Sequence, residues 1–246
     1  MILTIDRGNS RSKFAVFSGD NIVFTGTAID FCMFKEKTLS FRDKINRVII
    51  SSVKNEEQDF LFTKSLQQIF PNARIVEFNR NFAIPFINNY EDKTTIGLDR
   101  LAGISGVTTL FGRNVLLIDA GTCITFDYLD VDNIYQGGSI SLGIQTKYKA
   151  LHNFTANLPL VKSIEKTDVC AKTTLNCIQS GVVNGTIFEI EKTIEMYKRR
   201  SKNIKIVLTG GDAKFIHEAL DCETFVCEDI VFYGLKKILE LNAEKN

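Results

Sequence analysis

The 246-residue sequence predicts an α/β protein built from two related halves, 1–112 and 113–246. Two observations carry that prediction. One short turn occurs twice in similar wording, as Ile5-Asp6-Arg7-Gly8-Asn9-Ser10 and as Ile118-Asp119-Ala120-Gly121-Thr122-Cys123. Each copy follows an apolar run (Met1 to Ile5, then Asn114 to Ile118) and leads into a second one (Phe14 to Phe17, then Ile124 to Tyr128). In addition, strand patterns open each half and helical patterns follow, which is the order of an α/β fold. Hydrophobic content of 44% and charged content of 24% are ordinary for a globular protein, and the chain is long enough to bury a sizeable core.

In the first half, residues 1–6 and 12–18 read as paired strands, with Gly8, Asn9 and Ser10 as turn residues. Ser18-Gly19-Asp20-Asn21 is a second turn before a strand from Ile22 to Thr27, so the sheet begins with two antiparallel hairpins. Residues 30–45 are weakly helical, and Val48 to Val53 is a β-branched buried strand. Residues 56–69 carry Phe60, Leu61, Leu66 and Ile69 at roughly helical spacing, and Pro71 stops them. Arg74 to Phe78 is a strand, 79–96 a polar loop, and Gly97 to Leu110 a helix with Leu101, Ile104, Val107 and Thr108 on one face.

The second half repeats strand, turn and strand over 114–129, then a strand from Ile134 to Leu142 and a helix over 144–153. A loop around Pro159 precedes the longest helical pattern, 174–200, where Ile187, Ile190, Ile194 and Tyr197 are spaced 3, 4, 3. Ile204 to Thr209 is a strand ending in Gly210-Gly211. Helices follow near 212–220 and over 229–241.

Bulk properties narrow the function. A net charge of +1 gives no reason to expect nucleic acid or an anionic membrane as partner. No apolar run approaches the ~18 residues of a spanning helix, and Met1 to Ile5 reads as a strand rather than a signal peptide, so a cytoplasmic protein is expected. Six cysteines without a Cys-x-x-Cys pair, and only two histidines, argue against a zinc site and for buried free thiols.

No P-loop and no Gly-x-Gly-x-x-Gly after a strand is present. The repeated turn is the alternative device. Consecutive backbone N–H groups in a turn make an anion-binding concavity, and a glycine lets a phosphate approach. Around the first turn, Arg7, Arg11 and Lys13 add positive charge and Asn9, Ser10 and Ser12 add donors. Asp6 suits a divalent cation such as Mg²⁺, which takes one or two carboxylates and keeps several waters. The expectation is a nucleotide phosphate in a cleft between the halves. Gly97-Leu98-Asp99-Arg100 opens a helix, where Asp99 is either a carboxylate favoured by the helix dipole or a general base, with Arg100 positioning an anionic substrate. Thr122 and Thr125 can donate to phosphate oxygens. Gly210-Gly211 is either an anion contact or a tight turn.

Six motifs in order give the chain a family resemblance: Asp6-x-Gly8-Asn9-Ser10, Gly97-Leu98-Asp99-Arg100, Asp119-Ala120-Gly121-Thr122, Gly137-Gly138-Ser139-Ile140 with Gly143, Thr174 six residues before Ser180-Gly181, and Thr209-Gly210-Gly211-Asp212. The chain resembles the type III pantothenate kinases over essentially its whole length. That family belongs to the actin-like (ribonuclease H-like) ATPase, sugar kinase and Hsp70 fold group. The resemblance implies phosphorylation of pantothenate by ATP to 4'-phosphopantothenate, the first step towards coenzyme A. It implies an ATP-phosphate turn over Asp6, Arg7, Gly8, Asn9, Ser10, Arg11, Ser12 and Lys13, with Thr122 as a further ATP contact. Asp99 matches the catalytic base. Tyr90, Gly97, Leu98, Asp99, Arg100 and Thr174 match pantothenate contacts, and Asp119 matches the ligand of a monovalent cation, K⁺ or NH₄⁺. A homodimer with active sites at the subunit interface is also implied, which makes Thr174 a candidate for the partner's site and the 174–200 helix a candidate for the interface.

The chain departs from the family pattern at Arg7, where an apolar residue is common, and at Leu142, where a proline is usual. Two other readings fit the same turns. One is a kinase of another small hydroxylated substrate; the other is a catalytically silent regulator on the same fold. Gly97 to Arg100 and Thr174 favour pantothenate over the first, and retention of Asp6, Asp99, Arg100 and Asp119 disfavours the second.

Overall fold

The computed structural model describes residues 1–8 and 11–243. The chain divides into two compact units. Unit 1 joins Met1–Leu110 to the segment from Asp229 onward, and unit 2 is Phe111–Glu228. The sequence reading ran the second half to residue 246; here the last helix groups with unit 1.

In unit 1, β1 (Ile2–Arg7), β2 (Ser12–Ser18) and β3 (Asn21–Ala28) form an antiparallel meander, and β4 (Arg47–Ser52) and β5 (Arg74–Glu77) continue in parallel from β1. The order is β3-β2-β1-β4-β5. One face carries Leu3, Ile5, Phe14, Val16, Val48 and Ile50 against α1 (Phe31–Thr38) and α2 (Glu56–Ile69), through Phe34, Leu66 and Ile69. Both helices begin at side-chain caps. Asp30 accepts from the Met33 N–H and Asn55 from the Gln58 N–H, each at 2.9 Å, which satisfies a donor the helix itself leaves open. Glu56, Glu57 and Asp59 in the first turn of α2 suit the helix dipole. The expected apolar face of α2 was half right: Leu66 and Ile69 are buried, whereas Phe60 and Leu61 are exposed and Phe62 packs on the core instead.

A two-residue strand, β6 (Ile87–Asn88), interrupts the irregular segment before α3 (Leu98–Leu110). From Arg100 to Val107 every residue of α3 is buried. The helix packs against α8 (Ile230–Leu241), the last helix of the chain, which in turn packs on β1 and β4. Here the backbones touch: a Cβ on Gly106 would collide with the Ile230 carbonyl, and one on Gly234 with the Ala102 carbonyl.

Unit 2 repeats the plan. β7 (Val115–Ala120), β8 (Cys123–Leu129) and β9 (Ile134–Leu142) form the meander, and β10 (Lys205–Thr209) and β11 (Phe225–Val226) run parallel to β7. The order β9-β8-β7-β10-β11 matches unit 1 strand for strand. Leu116, Ile118 and Ala120 pack on α6 (Gly185–Arg200) through Ile187, Ile190 and Ile194, and on α7 (Ala213–Ala219) through Ile216. A second cluster joins Ile144 and Tyr148 of α4 (Ile144–Asn153) to Ile178 of α5 (Thr174–Gln179) and to Val182 and Val183. Burial pushes the Tyr148 hydroxyl up to about 12. The long helix expected over 174–200 is not uniform, because Ser180–Asn184 between α5 and α6 winds as a π-helix.

Among the described residues, no helix is long and apolar enough to cross a membrane. The cysteines are not buried as expected: Cys32, Cys123, Cys170 and Cys177 are exposed, and Cys222 and Cys227 half-buried. Cys32 and Cys177 lie on helices α1 and α5, Cys123 opens β8, and Cys170, Cys222 and Cys227 lie in loops.

Candidate functional site

The first turn is best read from strand geometry. Successive side chains of a strand point to opposite faces. Leu3 and Ile5 point toward α1 and α2, so Arg7 does too, and Asp6 points to the other face. Asp6 lies directly opposite Lys13 on β2 and Ser51 on β4, and residues opposed in register share a face. The carboxylate and the ammonium stem therefore lie side by side at the end of the sheet. The turn itself is tight: the Gly8 N–H donates to the Arg11 carbonyl at 3.1 Å, and a Cβ on Gly8 would lie 3.2 Å from that oxygen. Arg11 is exposed and Ser12 half-buried. Asn9 and Ser10 lie outside the described residues.

Arg7, expected among the phosphate contacts, is 9% exposed and committed to α2. Its guanidinium pairs with Asp59, donates to the Gln58 carbonyl at 3.3 Å and sits 4.0 Å over the Phe62 ring. Burial lowers its pKa, and the charges of Asp59 and Glu77 act the other way.

The expected substrate residues of unit 1 come together at the start of α3. The Asp99 carboxylate accepts from the Arg100 N–H at 2.9 Å and lies in the space a Cβ on Gly97 would occupy. Glycine at 97 is what gives that carboxylate its position. Arg100 is 7% exposed, with its guanidinium 5.9 Å from the centre of the Tyr90 ring. Gly97, Asp99 and Arg100 thus sit together at the start of α3, with the Tyr90 ring near the Arg100 guanidinium. Leu98 opens the helix beside them.

In unit 2, Asp119 is next to last in β7, on the face away from α6 and α7, as Asp6 is next to last in β1 on the face away from α1 and α2. Its register neighbours are Thr125 and Thr209. Gly210 follows Thr209 at φ +93°, and a side chain there would strike the Ala120 carbonyl and the Asp119 carboxylate. The Asp212 N–H donates to the Ala120 carbonyl at 3.0 Å, which ties the Gly210-Gly211 turn to the Asp119 turn. Burial pushes the Asp212 carboxyl up. Thr122 is exposed, and its carbonyl accepts from Gly143 N–H at 3.0 Å and Thr146 Oγ1 at 2.6 Å. Thr174 is exposed at the first position of α5, behind the cap Thr173, whose side chain accepts from the Asn176 N–H at 3.2 Å. The π segment follows directly, and its Asn184 donates to the Thr167 carbonyl at 2.9 Å.

Sequence reasoning missed Asp59, Ser52 and the partnership of Gly210 with Asp119. The last was findable, since a double glycine after a strand that neighbours an Asp-bearing strand needs a reason. Among the described residues no cluster of three or more His, Cys, Asp or Glu could hold a metal ion unaided. Single carboxylates at Asp6 and Asp119 fit cations that substrate or water oxygens also hold.

Comparison with known proteins agrees with this arrangement. The family model described as type III pantothenate kinase matches residues 2–196. A type III pantothenate kinase of Flavobacterium psychrophilum is 38% identical over 244 residues, covering 98% of this chain and 99% of the relative. Among solved structures, a Campylobacter jejuni protein described as a Baf family transcriptional activator aligns with a TM-score of 0.60 at 23% identity, over 98% of both chains. Component A of the Acidaminococcus fermentans (R)-2-hydroxyglutaryl-CoA dehydratase aligns at 0.52 and 13%, again over 98% of both. These two likenesses bear on fold alone, and they agree with duplicated actin-like ATPase halves. Sequence and family model together show that the chain belongs to the type III pantothenate kinases, ATP-dependent phosphotransferases that phosphorylate pantothenate.

Proposed function

We propose that Asp99 is the general base of this reaction. The observation that supports it is the Gly97–Arg100 corner: a carboxylate seated in the space left by a glycine, beside a buried guanidinium and the Tyr90 ring. Asp99 orients the primary hydroxyl of pantothenate and accepts its proton, while Arg100 holds the substrate carboxylate as an ion pair. Tyr90, Gly97 and Leu98 contribute to the same substrate site. Phosphoryl transfer asks mainly for positioning and charge stabilisation, so little covalent work falls to the protein.

In unit 1 the ATP-phosphate turn comprises Asp6, Gly8, Asn9, Ser10, Arg11, Ser12 and Lys13. Mg²⁺ at Asp6 supplies charge neutralisation when bound. In unit 2, Thr122 contacts the nucleotide and Asp119 takes K⁺ or NH₄⁺, with Gly210 keeping the space beside it open.

The protein works as a homodimer through unit 2. Leu142, Phe154, Leu175 and Phe188 are exposed large apolar side chains, Phe154 at 89%. An apolar groove of about 700 Å³ between Leu142, Leu151, Phe154 and the helical Gly181 and Gly185 lies among them. Contiguous exposed apolar surface of this kind marks an interaction site, and the implied dimer supplies a second copy of the chain to cover it. Thr174 then serves the partner's substrate.

The test is coupled ADP release over a panel of vitamins and sugars, with and without potassium. Turnover of pantothenate alone, accelerated by potassium, is the expected result. Turnover of another hydroxylated compound in its place would overturn the substrate assignment, and no turnover of any would favour a silent regulator.

A further inference from the structure

We infer that Arg7 is a positioning residue for the ATP-phosphate turn: a part-buried ion pair with Asp59 ties the end of β1 to the first turn of α2, and Arg7 is not a phosphate ligand. This rests on the proposal that the Gly8 to Lys13 turn holds ATP.

Arg7 is the residue before Gly8. Its backbone and side chain are both held. The Arg7 carbonyl accepts the Val53 N–H at 3.1 Å, and its guanidinium pairs with Asp59 while donating to Gln58 and covering Phe62. Asp59 is the hub. It also accepts from Ser52 Oγ at 2.7 Å, and Ser52 Oγ in turn accepts the Lys54 N–H at 3.1 Å. Ser52 lies beside Arg7 in the parallel register, so one helical carboxylate gathers the ends of two neighbouring strands.

Strand alternation makes the assignment firm. Asp6 and Lys13 face one side of the sheet and Arg7 the other. For Arg7 to reach a phosphate it would abandon the Phe62 ring and leave the Asp59 carboxylate, 20% exposed, without its countercharge. Removing one partner from such a pair is far costlier than replacing both by apolar groups. Arg7 Nε is already buried without a hydrogen-bond partner among the described residues, so an apolar pair in this place loses little.

A double-mutant cycle on the full-length enzyme tests the inference, reading the KM for ATP, the KM for pantothenate, kcat and the melting temperature. Arg7→Leu and Asp59→Leu are each expected to raise the KM for ATP about tenfold, within the coupling range of contacting residues. The KM for pantothenate should stay within about threefold in both, since the Gly97–Arg100 corner is not part of the contact network. The double variant is expected to recover most of the wild-type KM for ATP. A purely structural pair would lower the melting temperature and leave the KM for ATP alone, and that result overturns the inference. So does an Asp59→Leu enzyme with unchanged KM for ATP beside an Arg7→Leu enzyme and a double variant that are equally impaired, which is the pattern of a phosphate ligand. If a single variant does not fold, the double variant decides: a KM for ATP near wild type supports the clamp, and one raised tenfold overturns it. Lys13→Ala separates the two levels. If it raises the KM for ATP while the clamp variants do not, only the clamp fails; if it too has no effect, the proposed ATP turn fails.

Discussion

Asp99→Asn keeps the shape of the Gly97 corner and removes the proposed base. A positioned base contributes about 10²–10⁴ to rate, so kcat for pantothenate should fall by that factor while ATP binding is retained. ADP release with pantothenate, beside calorimetric titration of ATP, measures both. Asp212 gives a prediction in pH. Burial raises its carboxyl pKa, so the native state holds the ionised form at a cost. That cost is full at neutral pH, is relieved as pH falls through the raised value, and is absent below the ordinary carboxylate value. Asp212→Asn should therefore melt higher than wild type at pH 7 and equally with it well below pH ~4. The gain is at most about 1 kcal/mol, because the group is half exposed and solvent screens it. At this scale the sequence was informative about residue types and less so about direction. Asp6, Gly97, Asp99 and Arg100 stood out from wording alone. Arg7 did too, but a tally of positive charge near a turn ignores the two-residue period of the strand before it, and that period sends Arg7 to the helical side. Asp59, its partner, looked like any acidic residue in a first helical turn.

Elements were legible where period and caps agreed. The span of α2 was readable from its apolar spacing and from Pro71, whereas its buried face was readable only in part, because four apolar residues cluster at Phe60, Leu61, Phe62 and Leu66 and only packing selects among them. The π-helical turn at Ser180–Asn184 has no sequence period of its own. β11 is two residues long, below what alternation can show. The α3–α8 contact was likewise invisible, although its cause is plain in hindsight: glycines at 106 and 234 let two backbones meet. Two opposing effects act on Gly106→Ala. Alanine favours the helix by about 1 kcal/mol. Its methyl, however, meets the backbone carbonyl of Ile230, which no rotamer change relieves, and overpacking of this kind costs about 1–3 kcal/mol. The clash wins, and urea unfolding should give a lower midpoint for the variant.

For the whole molecule, the repeated Asp-x-Gly wording announced two related halves, and the five strands of unit 2 follow the strand order of unit 1. The proposed dimer rests on the family resemblance and not on any pattern of the chain's own. Phe188, 55% exposed on α6, tests it: Phe188→Asp places a charge in the proposed apolar interface and should shift the protein from dimer to monomer in sedimentation velocity, at an unchanged melting profile at low concentration. A wild-type monomer at micromolar concentration would remove the dimer. The limit of the sequence reading lay in assigning 229–246 to the second half. Neighbours in sequence are the default neighbours in space, and nothing in the α8 pattern says that its glycine answers one on α3.

That placement of α8 has a consequence for how the chain is made. Translation delivers β1 to α3 first, then all of unit 2, and the helix that covers α3 last. Unit 2 has its strands and helices in hand while unit 1 still lacks one side of its second layer. A nascent chain therefore carries the bare flank of α3, with Ala102 and Gly106 uncovered, for the whole time that residues 111–228 are being added. The half that begins first is the half that closes last. A ribosome that stalls within unit 2 leaves on its tether an unfinished first unit for chaperones to hold.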